Sequence, residues 1–479
     1  MEFEEIKRLR KVFDKYLNYK EINLWELSEW GLYPLLKTPK KESFVEDIKN
    51  RISRILIQIS NRKREIFSKK NLNQTEIIML ADNSIHVSTF YPILTKIKNA
   101  KIIRKDPAFF SNTKKSLEKN DTPYTDIDSY LTPNVKRNLK EAEKWLNKQW
   151  KMIQKDLKKG LGENYKDIIE VLRYYMNTRK KYLDMIRDIE LLNEMYDQEK
   201  NKMIILAEEL NPLSRVAIII AKKKKIKTFV IQHGTVLGDA IFKEVLADKT
   251  IVSGNREKNF LISMGTNPKK ISAIGQPRFD KIKQKTKEEA CKEIGLDSEK
   301  KVIVFAAQYL VGGQEIPIKN GLEEFLETIK KIPDKKNFEF IIKPHPNMDK
   351  KELYKKVKST NVKIIENVEL YSLLSACDIL ITSSSMVAIE TVLLNRPVIT
   401  IEIGGRYNLT NYEEDGVGIS IYEKDHLVES INKILYNQEF KEKFKKSRKK
   451  FIKDFAYKLD GKTAERIANL INNLLKTEI

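Results

Sequence analysis

The chain has 479 residues, enough for about three domains or for two large ones with an insertion. Hydrophobic residues make up 41% of the sequence, which excludes a disordered protein. Its two cysteines, Cys291 and Cys377, are far apart and exclude a disulfide framework and a cysteine-ligated zinc site. A formal net charge of +23 indicates polyanionic partners, such as nucleic acid, anionic lipid or phosphorylated substrates. No apolar run approaches the roughly 18 residues of a membrane-spanning helix, so we expect a cytoplasmic protein.

Residues 1–70 predict an N-terminal helical region, because apolar residues such as Leu9 and Phe13 recur there at helical spacing. The segment 22–36 within it carries two tryptophans among apolar neighbours. Two interpretations stay open: these side chains pack against the first domain, or the segment lies on an anionic membrane surface.

Strands and helices alternate from residue 75 onward, and the apolar strand segments are short and nearly continuous. This pattern is typical of parallel strands buried on both faces. We therefore predict an α/β protein with two doubly wound, Rossmann-like domains. The first domain covers 71–285 and the second 286–455.

Two stretches depart from this alternation. Residues 107–200 are rich in lysine, glutamate and asparagine and predict a helical insertion in the first domain, with long helical segments near 135–159 and 165–200. Residues 283–300 are polar and lysine-rich and predict a linker between the two domains.

Open parallel sheets bind ligands beyond the carboxyl ends of their strands, so residues directly after each predicted strand are the candidates for chemistry. His233 follows the strand 228–232, and Gly234 and Thr235 come next. An imidazole there is placed to take a proton from an acceptor hydroxyl, with Gly234 allowing a sharp turn. The alternative is a histidine that only fixes the turn.

A second strand, 338–343, ends in Lys343, and His345 follows between two prolines. The prolines fix the backbone, and the two side chains could donate to phosphate oxygens. The alternative is a rigid loop with an incidental histidine.

Three hydroxyl side chains follow a third strand and open a helix: Ser383, Ser384 and Ser385. With the free amides of the helix start they could bind a phosphate. Glu390, two turns further, could accept hydrogen bonds from a ribose diol. The alternative is helix capping, which needs only one serine.

Weaker candidates surround these three sites. Glu208 or Glu209 could be a catalytic base after the strand 203–207, and Gly312 and Gly313 could let a phosphate approach the loop that carries them. His86 begins a helix after the first strand and could contact an acceptor.

The chain has no Walker A sequence, no G-x-G-x-x-G and no metal-ligand spacing. We therefore expect no cofactor and no metal.

Taken together, these motifs resemble the two-Rossmann (GT-B) transferases of surface-polysaccharide assembly, in the group of the CDP-glycerol glycerophosphotransferases and capsule-polysaccharide transferases. The resemblance covers about 201–479 and rests on HGT (233–235), KPHP (343–346), the serines with a downstream acid (383–390) and the phrase IGQPRFDKI (274–282). It extends to nucleotide-sugar 2-epimerases, which share the superfamily. The segment 455–471 resembles the end of these proteins, which implies that the C-terminal helix, 456–479, crosses back to the first domain.

The resemblance implies roles for these residues. His233 would be the general base, Lys343 and His345 would bind the donor's phosphates, and Glu390 would contact the ribose. The donor would be a CMP/CDP- or UDP-linked sugar or alditol phosphate, transferred to a cell-surface glycan or lipid-linked acceptor without a metal and with inversion. The basic surface would then serve an anionic membrane on the inner face of the cell envelope.

Two other functions remain open at this point. One is a nucleotide-sugar 2-epimerase, which would need carboxylates around the sugar ring, where only Glu208 and Glu209 are candidates. The other is a non-catalytic protein that binds anionic lipid or nucleic acid on a transferase fold.

Overall fold

The structure of the protein is a computed structural model. It describes residues 3–27, 75–105, 117, 122–161, 178–234, 245–283, 285–308, 315–345, 348, 350–358, 360–383, 385–404 and 410–476. Among these residues, no helix is both long and apolar enough to cross a lipid bilayer. The part of the predicted N-terminal region from 28 to 70, with its second tryptophan, lies outside the described residues.

The first domain is built on a seven-stranded sheet in which every neighbouring pair is parallel, in the order β5-β4-β3-β6-β7-β8-β9. The strand order reverses between β3 and β6, which are hydrogen-bonded neighbours, so the crevice for a ligand opens at their carboxyl ends. Its strands are β3 (Ile77–Ala81), β4 (Ala100–Arg104), β5 (Tyr124–Asp126), β6 (Met203–Leu206), β7 (Lys227–Ile231), β8 (Lys249–Val252) and β9 (Ile271–Ala273). A short hairpin, β1 (Asn18–Tyr19) and β2 (Ile22–Asn23), precedes them.

The second domain repeats this arrangement with six parallel strands, in the order β12-β11-β10-β13-β14-β15. Its order reverses between β10 and β13. The strands are β10 (Lys301–Ala306), β11 (Phe338–Lys343), β12 (Val362–Ile364), β13 (Ile379–Thr382), β14 (Val398–Ile401) and β15 (Gly418–Ile421). Two doubly wound α/β sheets are what the sequence predicted, and the prediction is confirmed.

Helices cover both faces of the first sheet, since two separate apolar clusters lie on its two sides. In chain order, the helices of the described residues are α1 (Phe3–Tyr16), α2 (Ser84–Leu94), α3 (Pro133–Leu161), α4 (Thr178–Glu199), α5 (Pro212–Lys223), α6 (Asn255–Ser263), α7 (Lys287–Ile294), α8 (Glu315–Lys331), α9 (Lys350–Val357), α10 (Leu370–Ala376), α11 (Val387–Leu393), α12 (Leu427–Tyr436), α13 (Gln438–Phe455) and α14 (Thr463–Lys476).

The stretch 107–200 contains a strand as well as helices. Tyr124–Asp126 pairs with β4 and forms the edge of the first sheet. The sequence analysis missed it because three residues with a threonine and an aspartate carry no strand pattern. The aspartate of this strand, Asp126, is buried and forms an ion pair with Arg104, whose Nε lies 2.7 Å from Asp126 Oδ1. The helices α3 and α4 are therefore added after the third strand of the sheet.

The stretch 283–300, predicted as a linker, contains α7. This helix begins with a reciprocal capping box between Thr286 and Glu289 and ends at Gly295, whose φ of 71° lies in the left-handed region that favours glycine. Both signals can be recognised in the sequence, but the segment was predicted as a linker because it contains many lysines.

The N-terminal helix packs on the added helices. The rings of Phe13 in α1 and Trp25 stack with centroids 4.4 Å apart, and Trp150 and Tyr182 lie beside Phe13. Trp25 is 1% exposed. For this tryptophan, the interpretation that it packs against the first domain is therefore the correct one.

The C-terminal helix α14 lies against the first sheet. Ile467 and Ile471 are buried in the same apolar cluster as β3. Both oxygens of the Asp280 carboxylate accept from the start of α14, at 2.9 Å from the amide of Thr463 and 2.8 Å from that of Ala464. A carboxylate at a helix N-terminus satisfies its unpaired amides and its dipole.

We predict that Gly254→Ala destabilises the protein. Gly254, which caps α6, has no room for a methyl group because it would overlap the backbone of Asp454 and Phe455 in α13. Separating the two helices should cost about 3 kcal/mol and lower the melting temperature in scanning calorimetry. The matched control is Gly160→Ala near the end of α3, where an added methyl group meets no atom; it should leave stability unchanged or raise it by up to about 1 kcal/mol. Equal melting temperatures for the two variants would contradict this prediction.

Candidate functional site

His233 lies just past the carboxyl end of β7 and is held there by the neighbouring strand. Its backbone amide donates to the Ala207 carbonyl at 3.0 Å, and its ring Nδ1 lies 3.0 Å from the same oxygen. A carbonyl only accepts hydrogen bonds, so Nδ1 carries the ring proton and Nε2 of the neutral ring keeps its lone pair. This is the tautomer that a general base needs.

A second histidine, His86, is buried beside the first, with ring centroids 4.9 Å apart. The backbone amide of Asp82 donates to its Nδ1 at 3.2 Å, so its proton is on Nε2, 3.4 Å from Glu208 Oε1. Asn83 Nδ2 also lies 3.2 Å from Nε2; because both are donors in this tautomer, that approach is a contact only. His86 was predicted on the acceptor side; the structure buries its ring beside that of His233.

Two donors hold the Glu208 carboxylate. Asn211 Nδ2 lies 2.7 Å from its Oε1, and His86 Nε2 approaches the same oxygen. Desolvation raises the pKa of Glu208, but the hydrogen bonds from His86 and Asn211 and the nearby His233 outweigh it, so this pKa lies below its ordinary value. Glu208 is thus an anion at neutral pH, better suited to stabilise a neighbouring cation than to take a proton.

The pKa of His233 is also below its ordinary value. Desolvation is the main cause; His86 and Arg278 lower it further, whereas the Ala207 carbonyl and Glu208 raise it. The ring is therefore neutral at pH 7 and able to accept a proton at Nε2.

Glu209, the other carboxylate proposed as a base, lies elsewhere. It is 5% exposed, and its two oxygens accept from the amides of Leu246 and Ala247 (3.2 Å for the latter). Consecutive side chains leave an extended chain in opposite directions, so Glu208 joins the histidines while Glu209 anchors the segment before β8. The structure does not support the catalytic role predicted for Glu209.

In the second domain, Lys343 ends β11 and His345 follows it. Lys343 Nζ lies 3.3 Å from the Pro344 carbonyl, and the His345 carbonyl accepts from the amide of Met348 at 3.0 Å. Desolvation and then Lys343 lower the pKa of His345, and desolvation followed by Lys350 lowers that of Lys343. The charge of Lys343 acts on His345, and an anion beside them would stabilise the protonated forms of both groups.

The two described serines of this motif, Ser383 and Ser385, make different contacts. The Ser383 side chain is buried, with Oγ only 2.5 Å from where a Cβ on Gly321 would stand, so α8 packs directly on it. Ser385 Oγ accepts from the amide of Val387, the first residue of α11, at 3.3 Å, whereas Met386 holds the N-cap position and makes no side-chain capping bond. Ser384 lies outside the described residues, as do Thr235, Gly312 and Gly313.

Gly234 has a negative φ, and a Cβ there would meet nothing within 4 Å. The sharp turn expected at this residue therefore does not require glycine.

Glu390 links the two domains. It is buried in α11, where its Oε1 accepts from the Tyr371 hydroxyl at 3.2 Å and lies 3.4 Å from Arg278 Nη2. Arg278 belongs to the first domain, in the 3₁₀ turn Pro277–Lys281, and its charge also acts on His233. The guanidinium thus stands between the histidine group of one domain and the carboxylate of the other.

Arg278 and Tyr371 are the residues that sequence reasoning missed. The segment that carries Arg278 stood out only as the end of the first domain.

Solved structures share this two-sheet arrangement. The UDP-GlcNAc 2-epimerase from Neisseria meningitidis, bound to UDP-GlcNAc, is 16% identical with a TM-score of 0.54, covering 84% of this chain and 100% of that chain. MnaA from S. aureus with UDP is 14% identical with a TM-score of 0.53 (84% and 97% covered). The UDP-GlcNAc 2-epimerase from Methanocaldococcus jannaschii is 15% identical with a TM-score of 0.50 (83% and 99%). At these identities the similarity shows the fold alone, and the predicted GT-B-like fold is confirmed.

No curated protein matches the chain in sequence. A protein-family model does match, over residues 98–473. This range contains every strand of the two sheets except β3. It also contains every described residue of the site except Asp82, Asn83 and His86. The description of the family is CDP-glycerol:poly(glycerophosphate) glycerophosphotransferase. The chain therefore belongs to the CDP-glycerol glycerophosphotransferase family, as its motifs predicted.

Proposed function

We propose that the protein transfers glycerol phosphate from CDP-glycerol to a hydroxyl group of a cell-surface glycan or lipid-linked acceptor, with His233 as the general base. Family membership supports the donor and the reaction. The observation that carries the role of His233 is its Nδ1 contact to the Ala207 carbonyl, which leaves Nε2 unprotonated at the carboxyl edge of the sheet.

The step is a displacement at phosphorus. The acceptor oxygen forms a bond to the phosphorus that bears glycerol, while the bond from this phosphorus to the bridging oxygen breaks and CMP departs with its electron pair. The acceptor's proton passes to His233 Nε2. A single in-line displacement inverts the configuration at phosphorus.

Glu208 supports this step through charge. Protonated His233 is a buried cation, and the Glu208 carboxylate raises the pKa of this imidazole. His86 and Asn211 both lie within reach of its Oε1 and hold the carboxylate in place. Unlike the aspartate of a serine-protease triad, which accepts from the catalytic histidine itself, Glu208 acts on His233 through its charge alone.

The donor's phosphates lie, in this proposal, between Lys343 and His345 of the second domain and Arg278 of the first. A phosphate would raise the low pKa values of Lys343 and His345 and make them better donors. Glu390 would exchange its contacts with Tyr371 and Arg278 for the ribose diol.

The protein would work in the cytoplasm on an acceptor carried at the inner face of the cell envelope. A net charge of +23 exceeds what a nucleotide donor requires, and it supports a position close to an anionic membrane.

We expect CDP and CMP to raise the melting temperature more than UDP, GDP or AMP at equal millimolar concentration, because a ligand stabilises the state that binds it. His345→Ala should lose most of this shift. His426→Ala is the control, since His426 is exposed and its Nε2 lies 3.8 Å from the exposed Glu423. A shift that survives in His345→Ala would contradict the proposed donor site. A larger shift with UDP than with CDP would mean that the donor is UDP-linked.

His233→Ala should lower turnover with CDP-glycerol by about 10²- to 10⁴-fold, the usual contribution of a general base. In the unmodified protein the rate should rise with pH through a pKa below the ordinary histidine value, because the base must be deprotonated and its pKa is lowered. Glu208→Gln should move this rise to still lower pH and reduce the plateau, since a charge that raises the His233 pKa is lost. Glu209→Gln is the adjacent control and should leave the profile in place; identical profiles for both glutamine variants would refute the role of Glu208.

We further propose that no metal is required, because three cationic side chains can take the phosphate charge. Turnover should be unchanged after dialysis against EDTA and on adding Mg²⁺. A loss in EDTA that Mg²⁺ restores would show that a metal shares this task.

A further inference from the structure

An ion pair lies at the carboxyl edge of the second sheet, next to the residues proposed to bind the donor's phosphates. Just past β12, the amide of Ile365 donates to the Ile342 carbonyl of β11 at 3.1 Å, and Glu366 is the next residue. Lys350, the first residue of α9, has its Nζ 2.5 Å from Glu366 Oε2. Neither Glu366 nor Lys350 has a role in the proposed catalytic step.

The pair is close enough to the phosphate-binding residues to act on them. Lys343 ends β11, the neighbour of β12, and adjacent strands lie about 4.8 Å apart. Desolvation is the main cause that lowers the pKa of Lys343; the charge of Lys350 lowers this pKa further, and that of Glu366 raises it. A nucleotide whose phosphates lie at Lys343 would therefore have the pair within reach of its nucleoside.

A short stretch of chain joins the pair to the proposed ribose site. Five residues after Glu366, the Tyr371 hydroxyl at the start of α10 donates to Glu390 Oε1 at 3.2 Å. Five residues span at most about 17 Å. A donor with its phosphates at Lys343 and its ribose at Glu390 would lie beside this stretch, and its base is the part for which no protein contact has yet been assigned.

The order of hydrogen-bond acceptor and donor in the pair is complementary to cytosine. Cytosine presents its N4 amino group, a donor, next to the acceptor N3, whereas uracil presents the acceptor O4 next to the donor N3–H. A carboxylate accepts from the N4 amino group, and an ammonium group donates to a ring nitrogen. With uracil, Glu366 would oppose another acceptor and Lys350 another donor.

Both side chains keep hydrogen-bonding capacity for a base. Glu366 accepts from the Tyr354 hydroxyl at Oε1 (2.7 Å) and from Lys350 at Oε2, but each carboxylate oxygen has two lone pairs. The Lys350 ammonium has three hydrogens and directs one at Glu366. The Glu366 and Lys350 side chains are 27% and 38% exposed, so a base can reach them. Tyr354 is also exposed and offers an aromatic face for stacking beside the pair.

The stability of the fold gives little reason for a lysine at this position. Partly exposed ion pairs stabilise a protein only weakly. Lys350 lies in the first turn of α9, where a cation faces the positive end of the helix dipole. Its charge therefore opposes the formation of this helix, and Glu366 offsets that effect only in part. A ligand that needs a donor here would account for the lysine.

We propose that Glu366 and Lys350 recognise the base of the donor, with Glu366 accepting from the N4 amino group of cytosine and Lys350 donating to N3. This inference rests on the proposed function and deepens it, because it names the residues that select cytidine over uridine nucleotides. The roles proposed for Lys343, His345 and Glu390 leave that choice open, since CDP and UDP have the same phosphates and the same ribose.

Isothermal titration calorimetry of the full chain with CDP and with UDP tests the proposal. The unmodified protein should bind CDP at least about tenfold more tightly than UDP, the usual discrimination from one well-placed pair of hydrogen bonds to a base. Combining Lys350→Glu with Glu366→Lys keeps an ion pair but exchanges donor and acceptor, and it should invert the preference in favour of UDP. Glu366→Gln should bring the two affinities close together, because an amide both donates and accepts. This single variant keeps the test valid if the exchanged pair folds poorly.

The control combines Glu327→Lys with Lys330→Glu, which exchanges an exposed ion pair (2.7 Å) in the last turns of α8. It should leave the ratio of the two affinities unchanged. A CDP preference that both Glu366 variants retain would overturn the proposal and leave the proposed donor standing. An equal loss of CDP and UDP affinity would do the same, because the pair would then act only on the structure. If the unmodified protein has no preference for CDP, the proposed donor and this base recognition both fail.

Discussion

The site depends on the parallel pairing of β6 with β7. Their register places Leu206 opposite Val230, and the ladder continues one step past the strands, where the amide and the ring of His233 both meet the Ala207 carbonyl. One carbonyl thereby sets the position of the imidazole and the nitrogen that bears its proton. Glu208 directly follows Ala207, so the same pairing brings its carboxylate near the imidazole of His233. A change of register would separate the two groups.

The strand ends were predictable because the rule that locates them is topological. Parallel strands deliver their carboxyl ends to one edge, so His233, Lys343 and His345 could be selected without knowing a single contact. The sequence could not distinguish Glu208 from Glu209, because adjacent residues differ only in the side of the chain from which they leave. Nor could it show that α8 closes on Ser383, since the decisive residue, Gly321, lies far away in sequence. The edge strand at Tyr124–Asp126 has too few residues for any periodicity.

Charge is distributed in two ways in this protein. In the cleft, desolvation lowers the pKa of Lys343 and that of His345. A bound anion would oppose this effect and favour their protonated forms. On α3 the lysines are exposed to solvent. In the proposed function the first group binds the donor's phosphates, whereas exposed lysines attract polyanions over a longer range, an effect that salt weakens. The net charge alone could not separate them, because both add to the same sum.

The contact between Asp280 and the start of α14 has a mechanical consequence. The chain leaves the first domain just after Asp280 and returns to it just before Thr463, and the carboxylate fastens these two crossings to each other. The two crossings therefore hold the second domain to the first at one shared point, in addition to the contact of Gly254 with α13. Arg278 stands two residues from that point and lies 3.4 Å from Glu390, so the turn that joins the two domains also carries a contact across the cleft.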